Sequence, residues 1–198
     1  MATDTRQIVA NLTAFYDFMD KTVVAVGAGG GQLAEYARGT RRVVAVDRDA
    51  AAIDQLGARA RACGLAERFV LVPRDFFEVR TPGDVVLFEF CLHEMADPAR
   101  AIRRAQELAE DVLVIDHVPV SRWSWCAAEE GPMEAAWKAV DARSVRRRRD
   151  VEASQRFHDY AELEARLARQ GPVSLERIGA YRGQTSICIP MPYRMALL

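Results

Sequence analysis

The 198-residue sequence predicts a doubly wound α/β domain whose mostly parallel sheet closes on an antiparallel hairpin. Three observations carry that expectation. Short apolar, β-branched runs alternate with segments of helical periodicity between residues 20 and 117. Continuous apolar runs of this length suit strands covered on both faces, as in parallel sheets. A glycine-rich loop, Gly27 to Gly31, follows the first run directly. Beyond Pro119 the alternation stops, and the chain ends in two further runs separated by Gly183, a hairpin signal.

The elements follow in order. Ile8, Val9, Leu12, Phe15, Tyr16 and Met19 recur at helical spacing and predict an amphipathic helix over about residues 4–19. TVVAVG, ending at Gly27, is the first strand; a helix follows from Leu33 to Arg38, and Arg42 to Asp47 is the second strand. Asp49 caps a helix carrying Ile53, Leu56 and Ala60 that stops at Gly64. Phe69 to Pro73 and Asp84 to Phe90 are strands three and four. Asp97-Pro98 supplies an N-cap followed by a first-turn proline, with Ile102, Ala105 and Leu108 facing inward. Asp111 to Asp116 is strand five. Such alternation implies right-handed βαβ units.

Residues 120–150 read as a lid-like insert. It holds all three tryptophans, a helix around Pro132, Met133, Ala136, Trp137 and Val140, and the run Arg146 to Arg149, taken as a solvated helix face. Asp159 with Glu162 forms a capping-box pattern opening a helix through Leu163 and Leu167 to Gly171. The closing hairpin strands are Ser174 to Tyr181 and Ser186 to Pro190. The whole, residues 1–198, reads as a single domain with a Rossmann-like, seven-stranded sheet.

Composition narrows the partners. Half the residues are hydrophobic, and 27 basic against 28 acidic residues give a formal charge of −1. Nothing pulls this chain generally towards nucleic acid or an anionic membrane, so a small molecule is the expected partner. The N-terminal helix and the insert are surfaces through which a homodimer would pair. Cys63, Cys91, Cys126 and Cys188 form no CxxC pair and no zinc spacing, which suits free thiols. No apolar run is long enough to span a membrane, and the first residues lack a secretory pattern. The expectation is a cytoplasmic protein.

The loop indicates the ligand. Glycines between a buried strand and a helix let a ligand approach the backbone, and the helix start adds amide donors. Asp47 ends the second strand 20 residues after Gly27, where a carboxylate can accept both hydroxyls of a ribose. That points to an adenosine-containing cofactor. A dinucleotide GxGxxG pattern read from Gly27 would require glycine at Gln32; the glycines are instead Gly27, Gly29 and Gly31.

In this GxGxG register the sequence resembles the class I S-adenosylmethionine-dependent methyltransferases. VVAVGAGGGQL, VVAVD, RDFF and DVVLFEFCLHEMADP stand in the family's order over about residues 20 to 117. The resemblance implies that Gly27, Ala28 and Gly29, with Gly31 closing the loop, approach the methionine part of S-adenosyl-L-methionine. It implies that Asp47 takes the ribose hydroxyls, with Arg48 beside the adenine. Asp75 would accept from the adenine amino group, and Phe76 would offer a backbone amide and a flat wall. Phe88, Glu89 and Phe90 would line the pocket. One position departs: many members carry an acid two residues before the first glycine, and here Ala25 stands there. Glu89, on the neighbouring strand, is proposed to supply that carboxylate.

Methyl transfer from a sulfonium is an in-line displacement, so aligning the reactants and excluding water matter most. A base is needed only where the acceptor loses a proton. His93 with Glu94, and Asp116 with His117, fall at strand ends, and His158 opens a later helix. His117 and His93 are the candidate bases, since histidine titrates near neutrality; both also suit structural roles. No metal is expected, because no HxxxH-type spacing exists. The acceptor is expected between strand ends four and five and the insert, whose tryptophans either line its pocket or pack the lid. Rival readings are a nicotinamide-dependent oxidoreductase and a non-catalytic regulatory or scaffold relative.

Overall fold

The computed structural model describes residues 5–198. Helix α1 (Thr5–Phe15) leads into β1 (Thr22–Val26), β2 (Arg42–Asp47), α2 (Ala50–Ala62), β3 (Phe69–Pro73) and β4 (Val85–Glu89). Then come α3 (Pro98–Leu108), β5 (Asp111–His117), α4 (Arg122–Ala127), α5 (Glu130–Asp141) and β6 (Arg147–Val151). The chain ends with β7 (Ser154–Asp159), α6 (Tyr160–Leu167), α7 (Pro172–Arg177), β8 (Thr185–Pro190) and β9 (Tyr193–Leu197). The seven-stranded sheet runs β3-β2-β1-β4-β5-β9-β6, and β9 alone is antiparallel to its neighbours.

Strand patterning builds two cores. Val23, Ala25, Val85 and Leu87 face α1 and α2, whereas Val24, Val26, Val86 and Phe88 face α3 and α5. Every residue of β4 is buried, as a central parallel strand demands. The predicted caps form: the Asp49 carboxylate accepts from the amides of Ala51 and Ala52, and Asp97 accepts from Arg100 with Pro98 in the first turn.

Four expectations are corrected. Helix α1 stops at Phe15 rather than near 19, because the Asp17 carboxylate turns back onto the Met19 amide and Asp20 takes a positive φ of 54°; residue 4 lies outside the described residues. The segment at 33–38 is a 3-10 turn, Ala34–Arg38; a glycine loop and Gly39 leave too little chain for an α-helix. Residues 174–181 are helical, since Pro172 starts α7 and a 3-10 turn follows it over Ile178–Tyr181.

The closing strands instead pair upstream. Arg147 lies opposite Leu197, Val151 opposite Tyr193, Ser154 opposite Pro190 and Asp159 opposite Thr185. The register is unbroken, so β6–β7 and β8–β9 form one antiparallel ribbon that leaves the main sheet at residues 152–153 and 191–192. The Met191 amide bonds Ala153 across that bend at 2.8 Å. The arginine run is therefore a sheet edge, not a helix face. Arg146 reaches Asp111, Arg147 reaches the Phe15 carbonyl at 2.7 Å, and Arg148 reaches Asp141. A charged edge also discourages pairing with another chain.

Beyond the bend lies a third core, with Trp123, Met133, Phe157, Leu163, Ile178 and Ile189 at its centre. Trp123 stacks on Phe157 with planes 13° apart. Among the described residues no helix is long and apolar enough to cross a membrane.

Candidate cofactor site and the strand ends

The glycine loop leaves β1 with positive φ at Gly27 (67°), Gly29 (49°) and Gly31 (75°). The amides of Gly27 and Ala28 both donate to the Val46 carbonyl, tying the loop to β2. Asp47 completes the tie: its carboxylate accepts from the Gly29 amide at 3.1 Å and the Asp49 amide at 2.9 Å. A Cβ at Gly27 would meet the Cβ of Cys91 at 2.3 Å, and one at Gly31 would meet Leu56 Cδ1 at 2.7 Å. Packing therefore demands glycine at both positions, whatever the loop binds.

A cavity of about 170 Å³ opens at the carboxyl ends of β1 and β2. Gly27, Asp47, Arg48, Asp75 and Phe76 line it together, with Cys91 and Met95 opposite. Asp75 caps the next turn by accepting from the Phe77 amide at 2.8 Å. Phe76 is buried and meets Phe88 edge-on at 5.6 Å, so it is both a core residue and a cavity wall. Ala28, Gly29 and Gly31 shape the loop without lining this cavity.

Glu89 and Phe90 do not line it either. Glu89 is buried, and its Oε1 accepts from the Tyr36 hydroxyl at 3.0 Å. Burial raises its carboxyl to about 8, against a smaller lowering from the Tyr36 hydrogen bond. Phe90 has φ 51°, rare for an aromatic residue, and is held there by donating its amide to Ile115. Its ring packs on His117 at 4.7 Å and on Tyr193 at 5.8 Å.

The two candidate bases are brought together, 6.0 Å apart, but in opposite electrostatic settings. Asp116 is fully buried and accepts from the His93 amide (3.1 Å), the His93 ring at Nδ1 (2.6 Å) and the His117 amide (2.8 Å). Burial works against a charge on His93, but the Asp116 bond and charge, with Glu129 and Glu94, outweigh it and raise the imidazole. Glu129 Oε2 stands 3.9 Å from the far ring nitrogen. His117 is pushed down to about 4, by burial first and by the adjacent His93 as well, against a raising effect from Asp116. Its Nδ1 is buried without a hydrogen-bond partner. His158 stays apart, its side chain 86% exposed beside Asp159.

The tryptophans pack inward. Trp123 belongs to the third core, Trp137 donates to the His117 carbonyl at 2.7 Å, and Trp125 lies under the guanidinium groups of Arg122 and Arg177. A second and larger cavity, about 1120 Å³, lies between α1 and the ribbon bend. Asn11, Val151, Phe157, Ile187 and Tyr193 are among its walls, and Asn11 donates to the Tyr193 hydroxyl at 2.9 Å. Residues 120–150 line neither cavity. Tyr36, Asn11 and Tyr193 carry no motif signal; only the tertiary fold places them here. Among the described residues no group of three or more His, Cys, Asp or Glu could hold a metal ion.

Residues 24–111 match the sequence profile of a family described as a methyltransferase domain. No protein of curated function matches the chain in sequence. Among solved structures, the YcgJ protein of Bacillus subtilis superposes with a TM-score of 0.71 at 12% identity, covering 97% of this chain and 98% of its own. A SAM-dependent methyltransferase from Aquifex aeolicus gives 0.57 at 17% identity, covering 97% and 89%. SpnF, a [4+2]-cyclase, gives 0.63 at 16% identity, covering 96% and 79%. At these identities the likeness is one of fold.

Proposed function

We propose that this chain, whose residues 24–111 match a methyltransferase-domain family and whose fold is shared with a SAM-dependent methyltransferase, binds S-adenosyl-L-methionine and methylates a small-molecule acceptor. One observation carries the reading: Gly27, Asp47, Arg48, Asp75 and Phe76, far apart in sequence, converge on one cavity at the strand ends. The residues fit the cofactor. Asp47 stands on the wall with its loop contacts made, and a carboxylate can accept further bonds from a ribose diol. Phe76 and Phe77 offer flat walls to a base, and Asp75 an acceptor for its amino group. When bound, this cofactor supplies an electrophilic methyl group.

The chain's own residues then have three tasks. The loop from Gly27 to Gly31 fixes the backbone against the ligand, and Glu89 and Phe90 close the strand end. The groove between α1 and the ribbon bend, touching Phe90 through Tyr193, is the proposed acceptor site. This replaces the insert as the expected acceptor wall; residues 120–150 act instead as part of a cap. His117, kept uncharged at neutral pH, is the proposed base where the acceptor must lose a proton. His93, clamped by Asp116, is a positioning residue. The cysteines are unpaired, which suits the proposed cytoplasmic setting.

Calorimetric titration with S-adenosylmethionine, S-adenosylhomocysteine and NAD tests the cofactor, and transfer of a radiolabelled methyl group to an acceptor panel tests turnover. Binding of NAD alone would overturn the reading. Tight binding without transfer would favour a relative doing other chemistry on this fold, of which the cyclase SpnF is an example.

A further inference from the structure

The groove between α1 and the ribbon bend has an apolar body and a polar group set into it. Ile8, Val151, Phe157 and Ile187 supply apolar wall, and Asn11 and Tyr193 the polar group. Residues of its wall form a directed chain of hydrogen bonds. Gln7 Nε2 donates to Asn11 Oδ1 at 3.4 Å, and Asn11 Nδ2 donates to the Tyr193 hydroxyl at 2.9 Å. Accepting from Asn11 leaves the Tyr193 proton to point elsewhere, and among the described residues no atom accepts it. Tyr193 is only 1% exposed. Burial raises its phenol, against smaller lowering by the Asn11 bond and the charge of Arg149, so the proton stays on at neutral pH. A buried donor left without an acceptor costs free energy that a ligand oxygen can recover.

The surrounding charges favour an oxygen that is itself negative. Arg149 acts on the phenol from β6, and the groove wall carries Arg6 and Arg156 against the single carboxylate of Glu152. His158 lines the wall too, beside Asp159. We propose that this groove binds an apolar carboxylic acid, its ionised oxygen accepting from the Tyr193 hydroxyl and its hydrocarbon body lying along Ile8, Val151, Phe157 and Ile187. The inference rests on the proposed acceptor groove and names the class of acceptor that it selects. Tyr193 is the specificity-determining contact, and Asn11, which acts through Tyr193, is a positioning residue. The Tyr193 ring meets Phe90 edge-on at 5.8 Å, so the acid end of the ligand lies on the side of the groove nearest the strand ends.

The test is binding of three probes of one shape at pH 7: 2-naphthoate, 2-naphthamide and 2-naphthylmethylammonium. Cys188 is exposed and lines the groove, so its alkylation by iodoacetamide, followed by peptide mass spectrometry, reports occupancy. Naphthoate should protect Cys188 at the lowest concentration. Naphthamide, an uncharged acceptor, should bind about tenfold more weakly, and the ammonium, which has only donors, should not protect. Tyr193→Phe keeps the ring on Phe90 and removes the hydroxyl. It should weaken naphthoate about tenfold and leave S-adenosylhomocysteine affinity, measured by calorimetry, unchanged.

Asn11→Leu, at a half-buried position of α1, keeps the hydroxyl but frees its proton to turn, and should weaken naphthoate about threefold. This second variant carries the test if Tyr193→Phe does not fold. Equal naphthoate affinities in wild type and the folded variants, binding of the ammonium as tightly as the acid, or no protection by naphthoate at all would each overturn the inference and leave the cofactor assignment standing. Failure to bind S-adenosylhomocysteine with the naphthoate pattern intact would overturn the cofactor assignment and leave the ligand class of the groove standing.

Discussion

The Glu89 carboxyl makes the free protein's stability depend on pH in a way that one substitution should erase. Its ordinary value is 4.5, and in the fold it titrates at about 8. Between those values the folded state holds a proton that the unfolded chain has released. Stability therefore falls as pH rises through this window, with the full loss reached above the folded value. Each pH unit between the two values is worth about 1.4 kcal/mol, so the whole window spans on the order of 5 kcal/mol. Between pH 6 and pH 8 alone, the loss comes to about 2 kcal/mol, because the folded acid is itself half ionised at the upper end. Glu89→Gln keeps an oxygen that can accept from Tyr36 but has no proton to lose. Urea denaturation followed by tryptophan fluorescence at pH 6, 7 and 8 measures the effect. The mutant should gain about 2 kcal/mol on wild type between pH 6 and pH 8. Parallel pH dependence in the two proteins would mean that Glu89 is already ionised in the fold, and the burial argument would fail.

Other perturbations follow from the same geometry. Asp47→Ala removes the acceptor for the Gly29 and Asp49 amides and the proposed ribose contact, so S-adenosylhomocysteine affinity by calorimetry should drop about 30-fold. His93→Ala leaves the Asp116 carboxylate buried without its ring partner, which should cost about 3–5 kcal/mol in denaturant at pH 6. Since His93 is raised above 6.5, its stabilisation is complete below that value and is lost as pH rises through the folded value, so the mutant's deficit should shrink at alkaline pH. Gly27→Ala drives a Cβ into Cys91 at a positive φ and should lower the melting temperature by more than 5 °C, with no relief from Cys91→Ala because the collision includes the Cβ. In an NMR titration of the three histidines, His117 should stay neutral down to about pH 4, while His93 titrates above 6.5.

Legibility in the sequence tracks locality. Strands β1 to β5 are uninterrupted apolar runs bounded by Asp, Pro or Gly, and each is legible to within a residue or two. Asp49 and Asp97 cap helices that begin directly after them, a relation written in adjacent residues. The ribbon escapes a local reading because its pairing is not local. Thr185–Pro190 finds its partner at 154–159, across two helices, and Gly183 makes a turn that no hairpin uses. The arginine run misleads for another reason: charge reports exposure, and an edge strand is as exposed as a helix face. In the site, Asp47 is marked by its spacing from Gly27. The Tyr36–Glu89 and Asp116–His93 pairs join separate elements, so no spacing rule reaches them.

Those two pairs explain why neighbouring strand ends carry such different protons. Glu89 ends β4 facing the α1 core, where no positive charge lies beside it, and burial leaves it protonated. Asp116 lies near the end of β5 facing the other way, where two amides and an imidazole meet it, and it raises the His93 imidazole. His117 follows in sequence and therefore points back to the first face, against Phe90 and away from the carboxylate that raises its neighbour. The alternation of side chains along β5 thus separates a histidine whose charge a carboxylate favours from one whose charge burial disfavours. A single-residue register slip in β5 would exchange their surroundings, so the unbroken β5–β9 pairing that sets Asp116 opposite Arg194 and His117 opposite Tyr193 is what keeps the two imidazoles in different settings.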